Sequence, residues 1–500
     1  MRQGCRLPRH GHAFDTYPFF TRSPRIVMPQ RRRLVAVWPV CALAAGCALS
    51  GCAALPSRAD LPPPVPPAQI AAALTLHDAR GAVPAQRKQS DLTALRAEGK
   101  GELLQLHLGV MAAQDDLHLY RGNSARLLID GPQTFAAMKD AIKKARHRVL
   151  VEFYIVEDAG VAAELAAQLL DKAAQGIGVA LLYDSVGSLQ TPEAFFDRLR
   201  AGGIAVCAFN PLNPVKRLGA WGLMERNHRK LLAVDSDVAF TGGLNLTQAY
   251  TEGSFGSARR TRSAATEADK DRGWRDTQVQ VRGPVVAAMA RLFDQSWTEQ
   301  GCKGVLPKAP PARVAAPGER VIRLVAGDPD KGVNPSYSIL ISAVGAARRS
   351  VLLTMAYFAP GHDMVEALAE AARRGVDVQI VLPGRSDVAL VQLAARSYYE
   401  RLLQAGVQIH EMQHAVMHAK TFVVDGVLSS VGSSNLDWRS IVGNNEMDLH
   451  VLGQDFGADM EALFQRDVSV SKRIDLAQWQ RRGWWQKGLE SLGRLMEPLL

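Results

Sequence analysis

Two stretches of the sequence carry a histidine, a lysine and an aspartate at one fixed spacing. The first stretch reads NHRKLLAVDSDVAFTGGLN and the second reads MHAKTFVVDGVLSSVGSSN. Both follow the pattern His-x-Lys-x4-Asp-x6-Gly-(Gly/Ser)-x-Asn. We expect these residues to be catalytic: His228, Lys230 and Asp235 in the first stretch, and His418, Lys420 and Asp425 in the second.

The spacing of histidine and lysine places both side chains on one face of a strand, since residues i and i+2 point the same way. Two such strands facing each other would bring two imidazoles and two ammonium groups together. Lysine supplies positive charge, and imidazole acts as nucleophile or proton donor near neutral pH. This set suits a phosphodiester: one histidine attacks phosphorus, and the other protonates the leaving alcohol.

We expect this site to use no metal and no cofactor. The lysines occupy the place that a metal would take, and the sequence has no cluster with zinc-ligand spacing. A single copy of the motif is equally well explained by a satisfied histidine at the end of a core strand. Two copies at matching positions of a duplicated chain make that explanation remote.

The elements that position the motifs are also repeated. The pattern ARHRVLV, which starts at Ala145, returns 202 positions later as ARRSVLL, and each copy opens an apolar strand. Helices that end at Gly176 and Gly375 then lead directly into buried strands. Each half reads β-α-β-α-β, typical of a largely parallel sheet covered by helices. We therefore predict an α/β fold of two tandem domains, 76–304 and 319–500, joined by a proline-rich linker at 305–318.

The N-terminal region has the layout of an export signal. Three arginines precede the apolar run 34–49, which is too short to cross a bilayer, and Met28 makes a better start than Met1. The run ends in Leu49-Ser50-Gly51-Cys52, which resembles the bacterial lipobox and implies lipidation of Cys52 and removal of 1–51. The proline-rich stretch 52–75 would be a spacer. We expect a lipoprotein of a bacterial cell envelope facing the periplasm; an uncleaved N-terminal anchor is the alternative.

The distribution of charge along the sequence indicates which class of binding partner to expect. The formal charge is +10, but residues 1–33 hold eight arginines against one acid, so the remainder carries about +3. That is little for a nucleic-acid-binding protein, so we expect a membrane surface as partner and no nucleic acid.

After Cys52 only Cys207 and Cys302 remain. We expect Cys207 to be a buried thiol, with a Cys207–Cys302 disulfide as the less favoured alternative.

The two motifs resemble the HKD signatures of the phospholipase D superfamily, and within it the bacterial cardiolipin synthases. The resemblance rests on the motifs and on Trp274-Arg275-Asp276-Thr277, Tyr357-Phe358-Ala359-Pro360 and Asn435-Leu436-Asp437-Trp438-Arg439-Ser440. It covers about three quarters of the chain. It implies two α/β/α sandwich domains related by pseudo-twofold symmetry that share one active site. The implied reaction condenses two phosphatidylglycerols into cardiolipin and glycerol.

The resemblance also implies roles for single residues. A downstream carboxylate orients each reactive histidine, and Asp276 and Glu446 stand where these carboxylates are expected. His228 would be the nucleophile and His418 the general acid. We further expect the substrate phosphate to be bound by Asn245, Ser433 and Asn435. At its front end the chain departs from the family, whose members usually begin with membrane-spanning helices.

Other functions remain open at this point: a hydrolytic phospholipase D, another phosphodiesterase such as a nuclease, or a silent membrane scaffold. The two complete motifs argue against a scaffold.

At the C-terminus, Trp479, Trp484 and Trp485 lie among arginines and a lysine. This pattern is typical of a membrane interface or, equally, of a helix packed on the second domain. We expect a monomer or a weak oligomer.

Overall fold

The structure is a computed structural model that describes residues 55, 57–97, 101–114, 117–211, 225–251, 253–254, 273–308 and 315–500. The predicted signal segment, Cys52 and the middle of the predicted linker lie outside these residues. Within the described ranges, none of the helices combines the length and apolar character that crossing a bilayer requires.

Strands and helices alternate along the described chain. The strands are β1 (Leu74–Asp78), β2 (Gly81–Ala82), β3 (Leu117–Ile129), β4 (Arg148–Phe153), β5 (Gly178–Asp184), β6 (Ala205–Phe209), β7 (Arg226–Asn227), β8 (Leu231–Val234), β9 (Val238–Gly242), β10 (Trp274–Arg275), β11 (Thr277–Arg282), β12 (Arg320–Gly327), β13 (Ser350–Met355), β14 (Asp377–Pro383), β15 (Gln408–Met412), β16 (Val416–Met417), β17 (Lys420–Val424), β18 (Leu428–Gly432), β19 (Asn444–Leu452) and β20 (Ser471–Arg473). The α-helices are α1 (Ile70–Ala73), α2 (Ala85–Ala97), α3 (Gly101–Gln114), α4 (Asp130–Lys144), α5 (Gly160–Ala174), α6 (Glu193–Ala201), α7 (Pro284–Glu299), α8 (Pro335–Ala346), α9 (Gly361–Arg373), α10 (Ala389–Gln404), α11 (Gln454–Ser469), α12 (Leu476–Gln480) and α13 (Trp484–Leu495).

The duplication predicted from the sequence is a duplication of the sheet. In the first half the strands lie in the order β6-β5-β4-β8-β9-β11-β3, and in the second half in the equivalent order β15-β14-β13-β17-β18-β19-β12. The two halves join where β3 pairs antiparallel with β12. This arrangement confirms the two related α/β domains.

The sheet is mixed rather than largely parallel. Within each of these seven-strand orders, only the three strands of the β-α-β-α-β unit pair in parallel, namely β4-β5-β6 and β13-β14-β15. The strands that carry the motifs add to them as antiparallel hairpins, β8-β9 and β17-β18. The sequence repeat predicted the parallel unit, because a helix lies between its successive strands and gives a recognisable pattern. The hairpins have short turns and no intervening helix, so they cannot be parallel.

The predicted helix ends are confirmed. Gly176 follows α5 with φ 81°, and Gly375 follows α9 with φ 90°. Both lie in the left-handed region, which glycine reaches without a steric penalty. Each turn delivers the chain directly into a buried strand, β5 or β14.

Apolar side chains form three main cores. One lies between the sheet of the first half and its outer helices, and a second lies at the corresponding place in the second half. The third lies between the halves, where α7 and α11 pack against strands of both sheets. Helices therefore cover both faces of each sheet, as in an α/β/α sandwich.

The N-terminal helices belong to the second half, although we expected them in the domain 76–304. Leu104, Leu108 and Met111 of α3 are buried in the core that holds α8 and β13. His107 of the same helix donates from Nε2 to Asp425, at 2.9 Å. Sequence order suggested the other assignment, because this segment precedes the first repeat and has no counterpart in it.

Cys207 and Cys302 form a disulfide in the structure, which corrects the expectation of a buried thiol. The bond joins β6, the outer strand of the first half, to the segment that follows α7. The two cysteines are 95 residues apart, and only the folded sheet shows that the end of α7 returns to its edge strand.

Candidate active site

Two short parallel strand pairs bring the motif histidines to the junction of the halves. β7 pairs with the start of β19, and β10 pairs with β16. The backbone N–H of His228 then donates to the carbonyl of Asn445 at 2.9 Å. In the equivalent contact, the N–H of His418 donates to the carbonyl of Arg275 at 2.8 Å. Each histidine therefore lies beside the residue that precedes the predicted carboxylate of the other half.

As a result, the two carboxylates are exchanged between the halves. Nδ1 of His228, in the first half, lies 3.0 Å from both carboxylate oxygens of Glu446, in the second. Nδ1 of His418 lies 2.8 Å from Oδ2 of Asp276, in the first half. A carboxylate on Nδ1 fixes the ring orientation and leaves Nε2 for chemistry. Each motif histidine therefore pairs with a carboxylate supplied by the other half.

Three side chains hold Glu446 in place. Ser433 Oγ donates at 2.5 Å, Ser440 Oγ at 2.7 Å and Asn444 Nδ2 at 3.3 Å. Burial raises the pKa of Glu446, while Lys230 and these donors favour its charged form. Ser433, which we expected to bind substrate phosphate, is engaged with the carboxylate in the structure, and its part in phosphate binding stays a prediction.

In the first half, the positions equivalent to Ser433 and Ser440 hold different residues around Asp276 and His418. A Cβ on Gly243, the position equivalent to Ser433, would lie 2.1 Å from Oδ1 of Asp276. Glycine is therefore required there. Tyr250 takes the place equivalent to Ser440, and its hydroxyl lies 2.8 Å from Nδ1 of His418.

Sequence reasoning missed Tyr250 and Ser440 as site residues. Each stands five positions after the motif asparagine of its half, Asn245 or Asn435. The equal spacing was the available signal, but the residue types differ between the halves. A repeat comparison based on residue type therefore passes over them.

Each lysine is buried against its own histidine. Lys230 Nζ donates to the carbonyl of His228, and Lys420 Nζ to the carbonyl of His418, both at 2.6 Å. Burial lowers the pKa of Lys230 to about 7, and that of Lys420 to about 8. The nearby carboxylates oppose these shifts in part. The site therefore holds cations that lose their charge near neutral pH.

The two histidines differ in their electrostatic surroundings. Burial, followed by Lys230 and Lys420, holds the pKa of His228 well below 6.5. Burial and Lys420 also lower the pKa of His418, but the hydrogen bond and charge of Asp276 oppose the shift. His228 is thus held as the neutral imidazole, and His418 is favoured relative to it as the protonated ring.

The motif aspartates lie at the far ends of β8 and β17, away from the histidines. Asp235 accepts the backbone N–H groups of residues 146–148 at 2.8–3.0 Å. Asp425 does the same for residues 348–350, and also binds His107. These contacts tie the motif hairpin to the start of the neighbouring strand, and the predicted catalytic role of the two aspartates stays a prediction. The short strands β8 and β17 account for the equal spacing from lysine to aspartate in the two motifs.

The motif asparagines are both buried but differ in their contacts. Oδ1 of Asn245 accepts the N–H of Ile155 at 3.2 Å. Oδ1 of Asn435 is buried and has no hydrogen-bond partner among the described residues. Their predicted part in phosphate binding stays a prediction.

Aromatic rings and one further cation complete the surroundings of the histidines. Tyr154 and Tyr357 meet the rings of His228 and His418 edge-on, with centroids 5.2 and 6.2 Å apart. The charge of Arg439 helps to lower the pKa of His228, and its Nε is buried without a partner within the described part of the chain.

Comparisons with known proteins agree with this geometry. Residues 138–268 and 340–468 match the family model described as "Cardiolipin synthase, PLD-like domain". The cardiolipin synthase of Geobacillus thermodenitrificans is 33% identical over 401 residues, which cover 79% of this chain and 76% of the relative. Cardiolipin synthase A of Shigella boydii is 32% identical over 390 residues, which cover 76% of each chain.

A solved structure shares the fold. The phosphatidylserine synthase of Haemophilus influenzae superposes with a TM-score of 0.53 at 12% identity, covering 75% of this chain and 95% of that one. At this identity the likeness concerns the fold alone. The family match to both halves and the long, similar relatives confirm the resemblance seen in the motifs: the chain belongs to the phospholipase D-like cardiolipin synthase family.

Proposed function

We propose that this protein is a transphosphatidylase that condenses two phosphatidylglycerols into cardiolipin and glycerol. The observation that carries the proposal is the pair of buried histidines, each bound by the carboxylate of the other half and flanked by a lysine. The relatives that match most of the chain are named cardiolipin synthases. The substrate assignment rests on that kinship, and the chemistry rests on the site.

In the first step, Nε2 of His228 attacks the phosphorus of one phosphatidylglycerol. Glu446 at Nδ1 keeps the Nε2 lone pair free, and the low pKa of His228 keeps the ring neutral. An N–P bond forms, and the P–O bond to glycerol breaks. His418, held by Asp276, gives its Nε2 proton to the departing oxygen.

In the second step, His418 acts as the base. It takes the proton of a glycerol hydroxyl on a second phosphatidylglycerol, whose oxygen attacks phosphorus. The N–P bond breaks, His228 is released, and cardiolipin forms. Water in place of this alcohol would give phosphatidic acid, so transfer requires that water be excluded or outcompeted.

Positive charge stabilises the phosphoryl oxygens in both steps. Lys230, Lys420 and Arg439 supply it, and the burial of the two lysines strengthens their effect because the local dielectric is low. The side-chain amides of Asn245 and Asn435 add hydrogen bonds to the phosphate in this proposal. No step in this scheme uses a metal or a cofactor.

The lysine pKa values predict the dependence of activity on pH. As pH rises through about 7 and 8, Lys230 and Lys420 lose their protons, so kcat/KM should fall on the alkaline side. The low pKa of His228 should let activity persist below pH 6.5. A pH–rate profile of the purified protein on vesicles tests this. Lys230→Arg, which keeps its charge, should move the alkaline fall to higher pH; a rate that rises steadily to pH 10 would contradict the account.

We also propose that lipidation of Cys52 anchors the protein in the envelope of a bacterium, with its body facing the periplasm. The lipobox-like Leu49-Ser50-Gly51-Cys52 and the charge pattern before it support this. Cys52→Ala should leave a precursor that migrates more slowly than the mature protein and takes up no labelled fatty acid. A native N-terminus at another residue would exclude the lipoprotein.

The function is tested by the products formed on phosphatidylglycerol vesicles with labelled headgroups and a chelator present. We expect cardiolipin and free glycerol in equal amounts, and phosphatidic acid only as a minor product. Added glycerol should drive cardiolipin back to phosphatidylglycerol, because the intermediate forms reversibly. Phosphatidic acid as the main product would instead identify a hydrolytic phospholipase D, and cleavage of DNA by the same preparation would identify a nuclease.

A further inference from the structure

The C-terminal helix α13 exposes a stripe of large apolar side chains. Their exposed fractions are high: Trp484 81%, Leu495 76%, Trp485 64%, Leu492 53% and, in the turn that follows, Leu499 44%. At about 100° per residue, these positions fall on one face of the helix. Soluble proteins rarely expose so continuous an apolar surface unless it binds something.

The exposure of this stripe is not that of a frayed chain end, because the opposite face of α13 is tightly packed. A Cβ on Gly493 would lie 2.7 Å from the Cβ of Leu393 in α10, so the two helices cross closely. In the following turn, Glu497 accepts the N–H of Gly361 at 2.8 Å and also binds the hydroxyl of Tyr398. The fold therefore holds the stripe rigidly toward the outside.

The exposed charged side chains of the segment that carries the stripe are cationic. Between Leu476 and Leu500 the only acids are Glu490 and Glu497, and both are buried. Arg481 and Arg494 are exposed and Lys487 is partly exposed. The outward surface thus combines indoles, leucines and cations, which together match an anionic lipid surface.

We propose that this stripe of α13 docks the protein on the surface of an anionic phospholipid bilayer. The indoles of Trp484 and Trp485 lie at the headgroup level, the leucines reach the acyl boundary, and the cations contact lipid phosphates. The proposal rests on the proposed function in so far as that function supplies an anionic lipid substrate. It concerns a different surface from the active site.

The position of the stripe ties it to the catalytic residues. The carbonyl of Leu500 accepts the N–H of Arg439 at 2.8 Å, so the end of the C-terminal segment is fixed to the site. A cavity of about 480 Å³ lies between Leu495 on one side and Trp438 and Tyr398 on the other. Docking through α13 therefore sets the active site at the bilayer surface, where a headgroup reaches it without leaving the membrane.

The test is contact quenching of tryptophan fluorescence by vesicles whose phosphatidylglycerol carries brominated acyl chains. We expect the full-length purified protein to lose emission on these vesicles, and to lose less on brominated phosphatidylcholine. The Trp484→Phe/Trp485→Phe variant should show little quenching. Leu492→Ser/Leu495→Ser, which keeps every tryptophan, should show quenching reduced several-fold.

The matched control is Leu189→Ser/Val305→Ser, which removes two apolar side chains of similar exposure elsewhere, 67% and 89%. It should quench like the wild type. Undiminished quenching in the Trp484→Phe/Trp485→Phe variant would overturn the proposal. A second result would also overturn it: a wild-type dimer in sedimentation without lipid that becomes a monomer in Leu492→Ser/Leu495→Ser. In that case a second copy of the chain would cover the stripe.

A second measurement separates this proposal from the proposed function. Transfer on dispersed short-chain phosphatidylglycerol needs no bilayer, so the α13 variants should retain wild-type rates there. A wild type that quenches on vesicles but shows no transfer on the dispersed lipid would keep the docking surface and refute the function. A wild type that transfers on the dispersed lipid but shows no quenching on vesicles would keep the function and refute the docking surface.

Discussion

Replacing either His228 or His418 by alanine is expected to lower kcat/KM by about 10⁴-fold or more, because one centre uses both rings. The two effects should not add, since the double variant has lost no further function. The measurement is cardiolipin formation on phosphatidylglycerol vesicles. His147→Ala is the matched control: its side chain is exposed, and it should retain wild-type activity.

The identity of the leaving group should separate the two histidines. With 4-nitrophenol in place of glycerol, the departing oxygen needs no proton, so His418→Ala should regain its first step and release a burst of nitrophenolate. His228→Ala should show no burst with either substrate. Retention of most activity after loss of either histidine would refute the two-histidine mechanism. A burst in His228→Ala, and not in His418→Ala, would show that His418 is the nucleophile and His228 the general acid.

Neutralising either carboxylate should have the second largest effect. Glu446→Gln and Asp276→Asn are each expected to reduce kcat by about 10²- to 10⁴-fold, since the ring loses its orientation and its preferred tautomer. The exchange of carboxylates between the halves predicts which step each variant slows. Asp276→Asn should behave like loss of the acid and recover with nitrophenol, whereas Glu446→Gln should slow both substrates alike.

Exposed acids provide the matched controls for these variants. Asp237→Asn and Glu164→Gln break surface ion pairs, with Arg282 and Lys139 respectively, and should leave activity unchanged. If each carboxylate served the histidine of its own half, the pattern would reverse. Recovery of Glu446→Gln with nitrophenol would therefore contradict the exchanged arrangement.

The sequence was sufficient to predict which residues meet, but not how they meet. His228 and His418 were found because their motif is local and occurs twice. The exchange of Glu446 and Asp276 depends on two-residue strands, β7 and β10, whose pairing across the chain leaves no periodic signal. Long-range pairing of such short strands is set by the docking of the halves.

Two other differences have the same physical origin. Asp235 shares the spacing of the catalytic pair because both are fixed by one short hairpin, and only the structure shows that it faces the opposite end. Gly243 and Ser433 look like a neutral substitution in the repeat. The structure shows that each fits the length of the carboxylate above it, Asp276 or Glu446.

The C-terminal tryptophans divide between a packed position and an exposed one, so the structure confirms helix packing and leaves the membrane interface a prediction. The tryptophan pattern predicted either a membrane-facing segment or a helix packed on the second domain. Trp479 is buried against the ring of Tyr399, while Trp484 and Trp485 face outward on α13. A helical pattern cannot show which of its faces finds a partner when both are apolar.

Trapping the covalent intermediate shows which histidine attacks phosphorus. His418→Ala is mixed with a phosphatidyl 4-nitrophenyl ester, stopped in alkaline denaturant, digested and mapped by mass spectrometry. We expect one phosphatidyl group per chain on the peptide that contains His228, and none in His228→Ala. A label on another residue, or a burst of nitrophenolate without any labelled peptide, would contradict it.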